Sequence, residues 1–434
     1  MLKELIDDIA DSWYSLLVDE TTDNSTIKHM AVLVKYYSFT QTKSIIDFLG
    51  LLCTPKTTHD VLHRALVEFM DKVGLRKDRC MGLGCDGALN LCVAHHSLFA
   101  LLKKDCPNLH LVKCICHGLD KCASKASVAL PGTLEDLVRD SRGWFSNSAC
   151  RKFEYQREYE VGISFFYSFF LNRLLGVIAV RPSAACIFLY KHTFIFFYYF
   201  QALTGLGEPP QLVKVGNTRW LSWYGAVKSY TAQYDQLADH FKSVAEKDPK
   251  RKTPLAHTLS AYLEDKSHLL YLNFLRPILK EAASMNVTFQ KSLGDFAQVY
   301  TDLKTYVFSM AERIIKPEAL VQGQPGTMLR LSELQALKLA LQRSGSFKDV
   351  HMVDYGSNFY RVQAEIRLPE ERLREVQKCC ADFLVKYVFE LTERLPSCIE
   401  AVEKLRFFSP AMAMKQGKGR PTFSQLPMDF ISKY

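Results

Sequence analysis

WYSLLVDETTD, residues 13–23, and CMGLGCDGALN, residues 80–90, decide how the rest of the chain is read. Each is a short apolar run ending in acidic residues, the form of a buried strand with carboxylates at its C-terminal end. Between them, HMAVLVKYYSF (29–39) reads as a second strand and SIIDFLGLLCTP (44–55) as a third, stopped at Pro55. TTHDVLHRALVEFMDKVGL (57–75) has helical periodicity, a Thr/Asp-rich start and Gly74 near its end. Beyond Asn90, VAHHSLFALLKKDC (93–106) reads as a helix and LHLVKCICHGLDKC (109–122) as a fifth strand.

The order is therefore three strands, helix, strand, helix, strand. Consecutive strands suggest an antiparallel meander, and helix-separated strands suggest parallel additions. That is the order of a ribonuclease-H-like sheet, and acidic residues fall at the ends of the first and fourth strands as such a sheet requires. The expected class is α/β: a ribonuclease-H-like mixed sheet with a large all-α insertion and a helical C-terminal region.

After residue 130 amphipathic helical stretches take over, at 133–160, 220–247, 255–287, 293–315, 329–343 and 369–406. The stretches 316–328 and 344–357 read as loops. The expected organisation is a first part of the α/β core at 1–130 and a helical piece at 131–160. An apolar insertion follows at 161–212, then a helical region holding the end of the core equivalent at 213–315. A helical C-terminal region at 316–410 and an irregular, basic tail at 411–434 complete it. No internal repeat is evident.

Composition sets the bounds. With 434 residues, nearly half of them apolar, the chain can bury a real core, and bulk disorder is not expected. The formal charge of +9 permits contact with a polyanion without establishing it. The 13 cysteines are odd in number and follow no disulfide-framework spacing. Met1 leads straight into LKELIDDIADSW, so no signal peptide is read at the start. Reduced thiols in the nucleus or cytoplasm fit these features best.

Asp19 ends the first strand and Asp86 the fourth. In a sheet of this kind those strands lie side by side, so the two carboxylates would meet. Paired carboxylates suit Mg²⁺, a hard cation that takes oxygen ligands. Two such ions, about 4 Å apart, can activate water and stabilise a leaving 3′ oxygen in phosphodiester cleavage. Strand-end acids also commonly face water or cap the next helix. Glu20 and Asp23 are nearby alternatives. Cys114, Cys116, His117 and Cys122 could be read as a zinc knot, but zinc sites want paired clusters, and inert cysteines on a buried strand fit one compact cluster better.

The ordered set LLVDETTD, GLGCDGALNLCVAHHS, VKCICHGLDKCASKA and NTRWLSWY resembles the motif series of hAT-family DNA transposases. It is similar above all to the domesticated relatives associated with BED-type zinc fingers. FLRPILKEAASMNVTFQKSLGDFAQVYTDL resembles the helical part of that subgroup, and the likeness covers roughly residues 10–160 and 213–310. The resemblance implies that Asp19 and Asp86 stand at the first two catalytic carboxylates and would ligate Mg²⁺ or Mn²⁺ in an active enzyme. It implies that Cys114 and His117 form the Cys-x-x-His motif beside the active site. It also places Arg219 and Trp220 at the Arg-Trp pair, whose indole helps hold a flipped base. An indole face stacks on an unpaired base for about 1–3 kcal/mol.

The departures matter as much. The resemblance calls for a third carboxylate on a helix after a large insertion. The corresponding stretch, MNVTFQKS, has Phe289 and Gln290 there. Glu281, about two turns earlier, and Asp295, beyond, would substitute only under a shifted alignment. No BED-type finger is read before residue 10, and the family's dimerisation segment reads as cut short near Phe408.

Residues 161–200 carry an extreme Phe/Tyr/Ile bias without counterpart in the resemblance. Each half approaches the ~20 residues of a membrane span. Asn172, Arg173, Lys191 and His192 interrupt the halves, and a mid-span charge costs about 2.5–3.5 kcal/mol. An inserted passage, such as a translated intron, fits better than a membrane hairpin.

The expected function is a transposase-derived ribonuclease-H-like protein without catalysis, and hence without a cofactor. It would keep weak, salt-sensitive DNA contact, or contact with protein partners or itself. The alternatives are an active hAT transposase using Mg²⁺ or Mn²⁺ for DNA cleavage and strand transfer, and a helical interaction scaffold without DNA binding.

Overall fold

The computed structural model describes residues 2–22, 28–93, 95–160, 209–214, 222–291, 296–322, 329–330, 334–343 and 345–405. Two compact units emerge: Met1–Lys125 with Ser284–Lys348 and Leu384–Tyr434, and Ala126–Ala283 with Asp349–Phe383.

The first unit holds a mixed five-stranded sheet in the order β3-β2-β1-β4-β5. Strands β1 (Tyr14–Thr22), β2 (Lys28–Ser38) and β3 (Lys43–Cys53) form the antiparallel meander. Strands β4 (Cys80–Cys85) and β5 (His110–Lys113) add in parallel. The five-strand order and the direction of each pair are those of the ribonuclease-H-like expectation.

The period of two explains the meander's core face. Tyr14, Leu16 and Val18 of β1 are buried, as are Met30, Val32, Val34 and Tyr36 of β2. Helix α2 (His59–Val73) contributes Leu62, Leu66 and Met70, one residue per turn, to the same cluster. It ends where Gly74 adopts φ 81°, a left-handed C-cap that costs glycine little. Helix α1 (Leu2–Ile9) adds Leu5 and Ile9, and its Asp8 accepts hydrogen bonds from Tyr36 Oη (2.8 Å) and Ser38 Oγ (3.0 Å). Burying a side chain of this size is worth about 1.5–3 kcal/mol, so this cluster stabilises the sheet and the helices packed on it substantially.

Around the five-stranded sheet two elements differ from the sequence reading, and further along Val321–Gln322 pairs antiparallel with Leu329–Arg330, where a loop and the start of a helix were expected. The helix expected from residue 93 instead begins as α4 at Leu98, after a four-residue helix α3 (Leu89–Cys92). Ser97 sets that start, its Oγ accepting the Ala100 N–H at 3.1 Å as an N-cap. The fifth strand stops at Lys113, and helix α5 (Ile115–Ser127) follows, where a strand through residue 122 was expected. Leu119, Cys122, Ala123 and Ala126 are buried at helical spacing, and that face decides for helix.

The second unit is helical among its described residues. Trp144 and Phe145 of α6 (Gly132–Ser146) pack on Phe241 of the helix Tyr234–Lys247. Ser141 Oγ and Tyr230 Oη share a buried 3.0 Å hydrogen bond, which satisfies both hydroxyls away from water. Arg372 donates to Asp265 Oδ2 (2.6 Å) and Ser267 Oγ (3.0 Å). Residues 357–366 form a helix that the periodicity did not single out. The segment 161–200 and the tail beyond residue 405 lie outside the described residues.

Candidate functional site

The site is built by the parallel pairing of β1 and β4. Their last paired couple is Leu17 and Gly84, and Asp19 and Asp86 each lie two residues further along. Parallel neighbours run about 4.8 Å apart. The adjacency of the first and fourth strands thus delivers both acids to the same sheet end, as their positions in the sequence predicted.

The chain leaves β4 through a turn. Asp86 Oδ1 accepts the Ala88 N–H at 2.9 Å, and Gly87 takes φ 85°. This is an Asx turn, and it commits one carboxylate oxygen of Asp86 to the local backbone. The helix-capping alternative weighed for strand-end acids has a concrete counterpart in that bond.

Asp19 and Glu20 are consecutive on a strand, so they point to opposite faces. Asp19 is exposed, whereas Glu20 follows Val18 toward the helix-covered face and is half buried. Asn90 of α3 donates to Glu20 Oε1 (2.8 Å) and to Thr57 O (2.9 Å). Burial holds the Glu20 carboxyl above its ordinary range; the Asn90 bond opposes this, and the negative charge of Asp86 adds to it. The field of Asp86 therefore reaches Glu20. Asn90 was not singled out from the sequence. Its signal was its place four residues after Asp86, where one helical turn brings it back over the strand end.

Cys114 continues the sheet ladder by one bond, its N–H donating to Cys85 O at 2.8 Å. It then acts as the first residue outside α5, with Sγ accepting the His117 N–H at 3.5 Å. The thiol is exposed. A hydrogen bond from Cys116, followed by backbone N–H groups and the nearby His117, brings it down to about 6. Helix N-termini stabilise thiolates in this way. The Cys-x-x-His pair thus sits just past the edge strand. Cys116 Sγ lies 3.9 Å from Asn286 O, on the helix Ser267–Lys291.

That helix carries the stretch in which the third acid was sought. Phe289 lies in the first unit and Glu281 in the second. Arg219, Trp220, Asp23 and Asp295 fall outside the described residues. Among the described residues no three His, Cys, Asp or Glu side chains gather to hold a metal ion. Those residues alone do not make up a two-metal site, which needs carboxylates shared around both ions. Among them, too, no helix is long and apolar enough to cross a membrane.

The sheet order defines the class: a ribonuclease-H-like α/β fold together with helical regions. Comparison of families agrees. The model of DUF4371, described as the ZMYM1/FAM200 RNase-like domain, matches residues 1–96. The match spans β1 to β4 and includes both Asp19 and Asp86. It fits a domesticated, transposase-like origin for this part of the chain.

Proposed function

We propose that this chain is a transposase-derived protein of the hAT lineage, of the BED-finger-associated kind, that no longer cleaves or joins DNA. The observation that carries the reading is the incomplete acid set. Asp19 and Asp86 lie at the same sheet end, while Phe289 and Gln290 occupy the stretch where the resemblance requires the third carboxylate. Neither side chain supplies negative charge to a cation, and loss of such positioning typically costs orders of magnitude in rate. The bond from Ala88 N–H to Asp86 also turns one of the two remaining acids toward a structural role.

What remains is contact with nucleic acid or protein. The net charge of +9 supports weak binding through Lys and Arg to phosphate, a contact that salt would weaken steeply. Arg219 and Trp220 are the residues proposed to touch a base. Nucleus and cytoplasm both suit free thiols, and the described cysteines are free.

The test is a nicking and strand-transfer assay on hairpin-forming and linear duplex ends with Mg²⁺ or Mn²⁺. The Asp86→Asn variant serves as control. No product is expected from either protein. Metal-dependent nicking by the parent that vanishes in the variant would establish an active transposase and direct the search for a third ligand to Glu281 or Asp295.

A further inference from the structure

We infer a binding surface on the helical second unit: the turn 247–252 takes the phosphate backbone of a nucleic-acid duplex. The sequence there reads KDPKRK. Lys247, Lys250, Arg251 and Lys252 place four cations in one turn between the helix Tyr234–Lys247 and the helix Pro254–Glu264. All four side chains are exposed. Among the described residues none of the four charged groups takes part in a hydrogen bond or an ion pair. Exposed arginines elsewhere find acids within the chain, as Arg76 does at Asp11 and Arg374 at Glu370.

The turn is held from inside by its own acid. Asp248 Oδ1 accepts the Lys252 N–H at 3.0 Å, and Oδ2 accepts the Thr253 N–H at 2.7 Å and the Thr253 hydroxyl at 2.6 Å. The Asp248 carbonyl accepts the Arg251 N–H at 3.0 Å. Its carboxylate meets a basic group only at His257 Nε2, 3.8 Å away. Asp248 thus serves the backbone and draws none of the four cations inward. Glu246 is the other acid beside the turn, so positive charge remains in excess over 246–252. Arg251 adopts φ 48°, a left-handed conformation that glycine or asparagine takes at less cost. An arginine kept there, strained and without a partner among the described residues, is accounted for by an external anion.

The composition of the turn selects the anion. Closely spaced cations match the repeating charge of a phosphodiester backbone, where release of counterions drives binding. The guanidinium adds a bidentate fork for phosphate oxygens. Residues 247–252 include no aromatic ring to stack on unpaired bases, which favours duplex over single strand. They include no large apolar side chain to insert among lipid tails, which favours nucleic acid over a membrane surface. Such a contact positions a duplex without reading its sequence. The inference rests on the nucleic-acid contact proposed above and assigns part of it to residues other than Arg219 and Trp220.

The experiment measures binding of the full chain to a fluorescein-labelled, mixed-sequence duplex by anisotropy, from about 50 to 200 mM salt. The parent is compared with a turn variant carrying Lys247→Gln, Lys250→Gln, Arg251→Gln and Lys252→Gln. A control with the same net charge carries Lys43→Gln, Lys72→Gln, Lys104→Gln and Lys152→Gln, at exposed lysines elsewhere. The turn variant is expected to bind about tenfold or more weakly. Its plot of log K against log salt should be flatter by about 3, since each lost duplex phosphate contact removes about 0.9. The control should keep most of the affinity. Arg251→Gly, which relieves the left-handed backbone, should weaken binding without lowering the melting temperature, and so separates lost contact from misfolding. Parent binding that the turn variant retains in full, or that both four-site variants lose equally, would overturn the site and leave the nucleic-acid reading standing. No duplex binding by the parent at the lowest salt would overturn both. Attachment to phosphatidylserine vesicles that the turn variant loses, with no duplex binding, would assign the turn to a membrane surface instead.

Discussion

Asn90 donates its side-chain amide to Glu20 across 2.8 Å and to the Thr57 carbonyl across 2.9 Å. One residue thereby ties the end of β1 to the α3 helix and to the segment preceding α2. Both acceptors would lose a charge-assisted or buried partner without it. Asn90→Ala is expected to lower stability by about 1–3 kcal/mol in denaturant unfolding. Asn90→Asp should cost more at neutral pH than at pH 4, because it sets a third charge beside Glu20 and Asp86. Equal losses for Asp at both pH values would refute that electrostatic account.

Glu20 itself gives a pH signature. Its carboxyl is raised, chiefly by burial, so the folded state binds that proton more readily than the unfolded chain does. Stability from this group is therefore lost as pH rises from the ordinary carboxylate value, about 4.3, through the raised one, and the deficit persists above. Glu20→Gln keeps an acceptor for Asn90 and removes the charge. It should raise the melting temperature at pH 7, with the gain fading toward pH 4. Solvent screening at this half-exposed position holds the gain within about 1 kcal/mol. Melting curves from pH 4 to 8 check it.

Cys114 should be the fastest-alkylated thiol near neutrality. With its thiol at about 6, thiolate is already abundant at pH 7, whereas an ordinary cysteine titrates near 8.5. Iodoacetamide labelling read by mass spectrometry should rise through pH 6 and level off by about pH 7.5. The lowered thiol also stabilises the fold above the ordinary thiol range, and that contribution is lost as pH falls through about 6. Cys116→Ser should shift the labelling curve, since its side chain is the largest cause of the lowering. A curve centred near 8.5 in the parent would contradict the helix-end geometry.

Close approach of β1 and β4 can be tested at Gly82. A Cβ added there would stand 2.6 Å from Ser15 Oγ and 3.0 Å from Ser15 Cβ. Gly82→Ala is expected to destabilise by about 1–3 kcal/mol, as overpacking does. Ser15→Gly removes both atoms, so the double variant should recover part of that loss. A double-mutant cycle with no coupling would show that the clash relaxes elsewhere.

The alternation of Leu16, Val18, Val32 and Val34, the turn signals at Pro55 and Gly74, and the acids after β1 and β4 are local features. Local periodicity states which face of a strand is apolar, and the strand–helix order restricts how such strands can pair. Those features were enough to read a ribonuclease-H-like sheet and to nominate Asp19 and Asp86. The motif order supplied Cys114 and His117 from resemblance, and their position just past the edge strand agrees with the sheet. Where β5 yields to α5 was less legible, because HLVKCIC suits either state, and burial of Leu119, Cys122 and Ala126 on one helical face settled it.

Other properties depend on partners distant in sequence. Glu20 is raised because folding buries it and brings the charge of Asp86 near, although 66 positions separate the two. Asn90 matters because Glu20 and Thr57, remote along the chain, converge on its one amide. The amino-acid order establishes residue types and local propensities, whereas desolvation and Coulomb interactions act through space and have no value until the chain has closed.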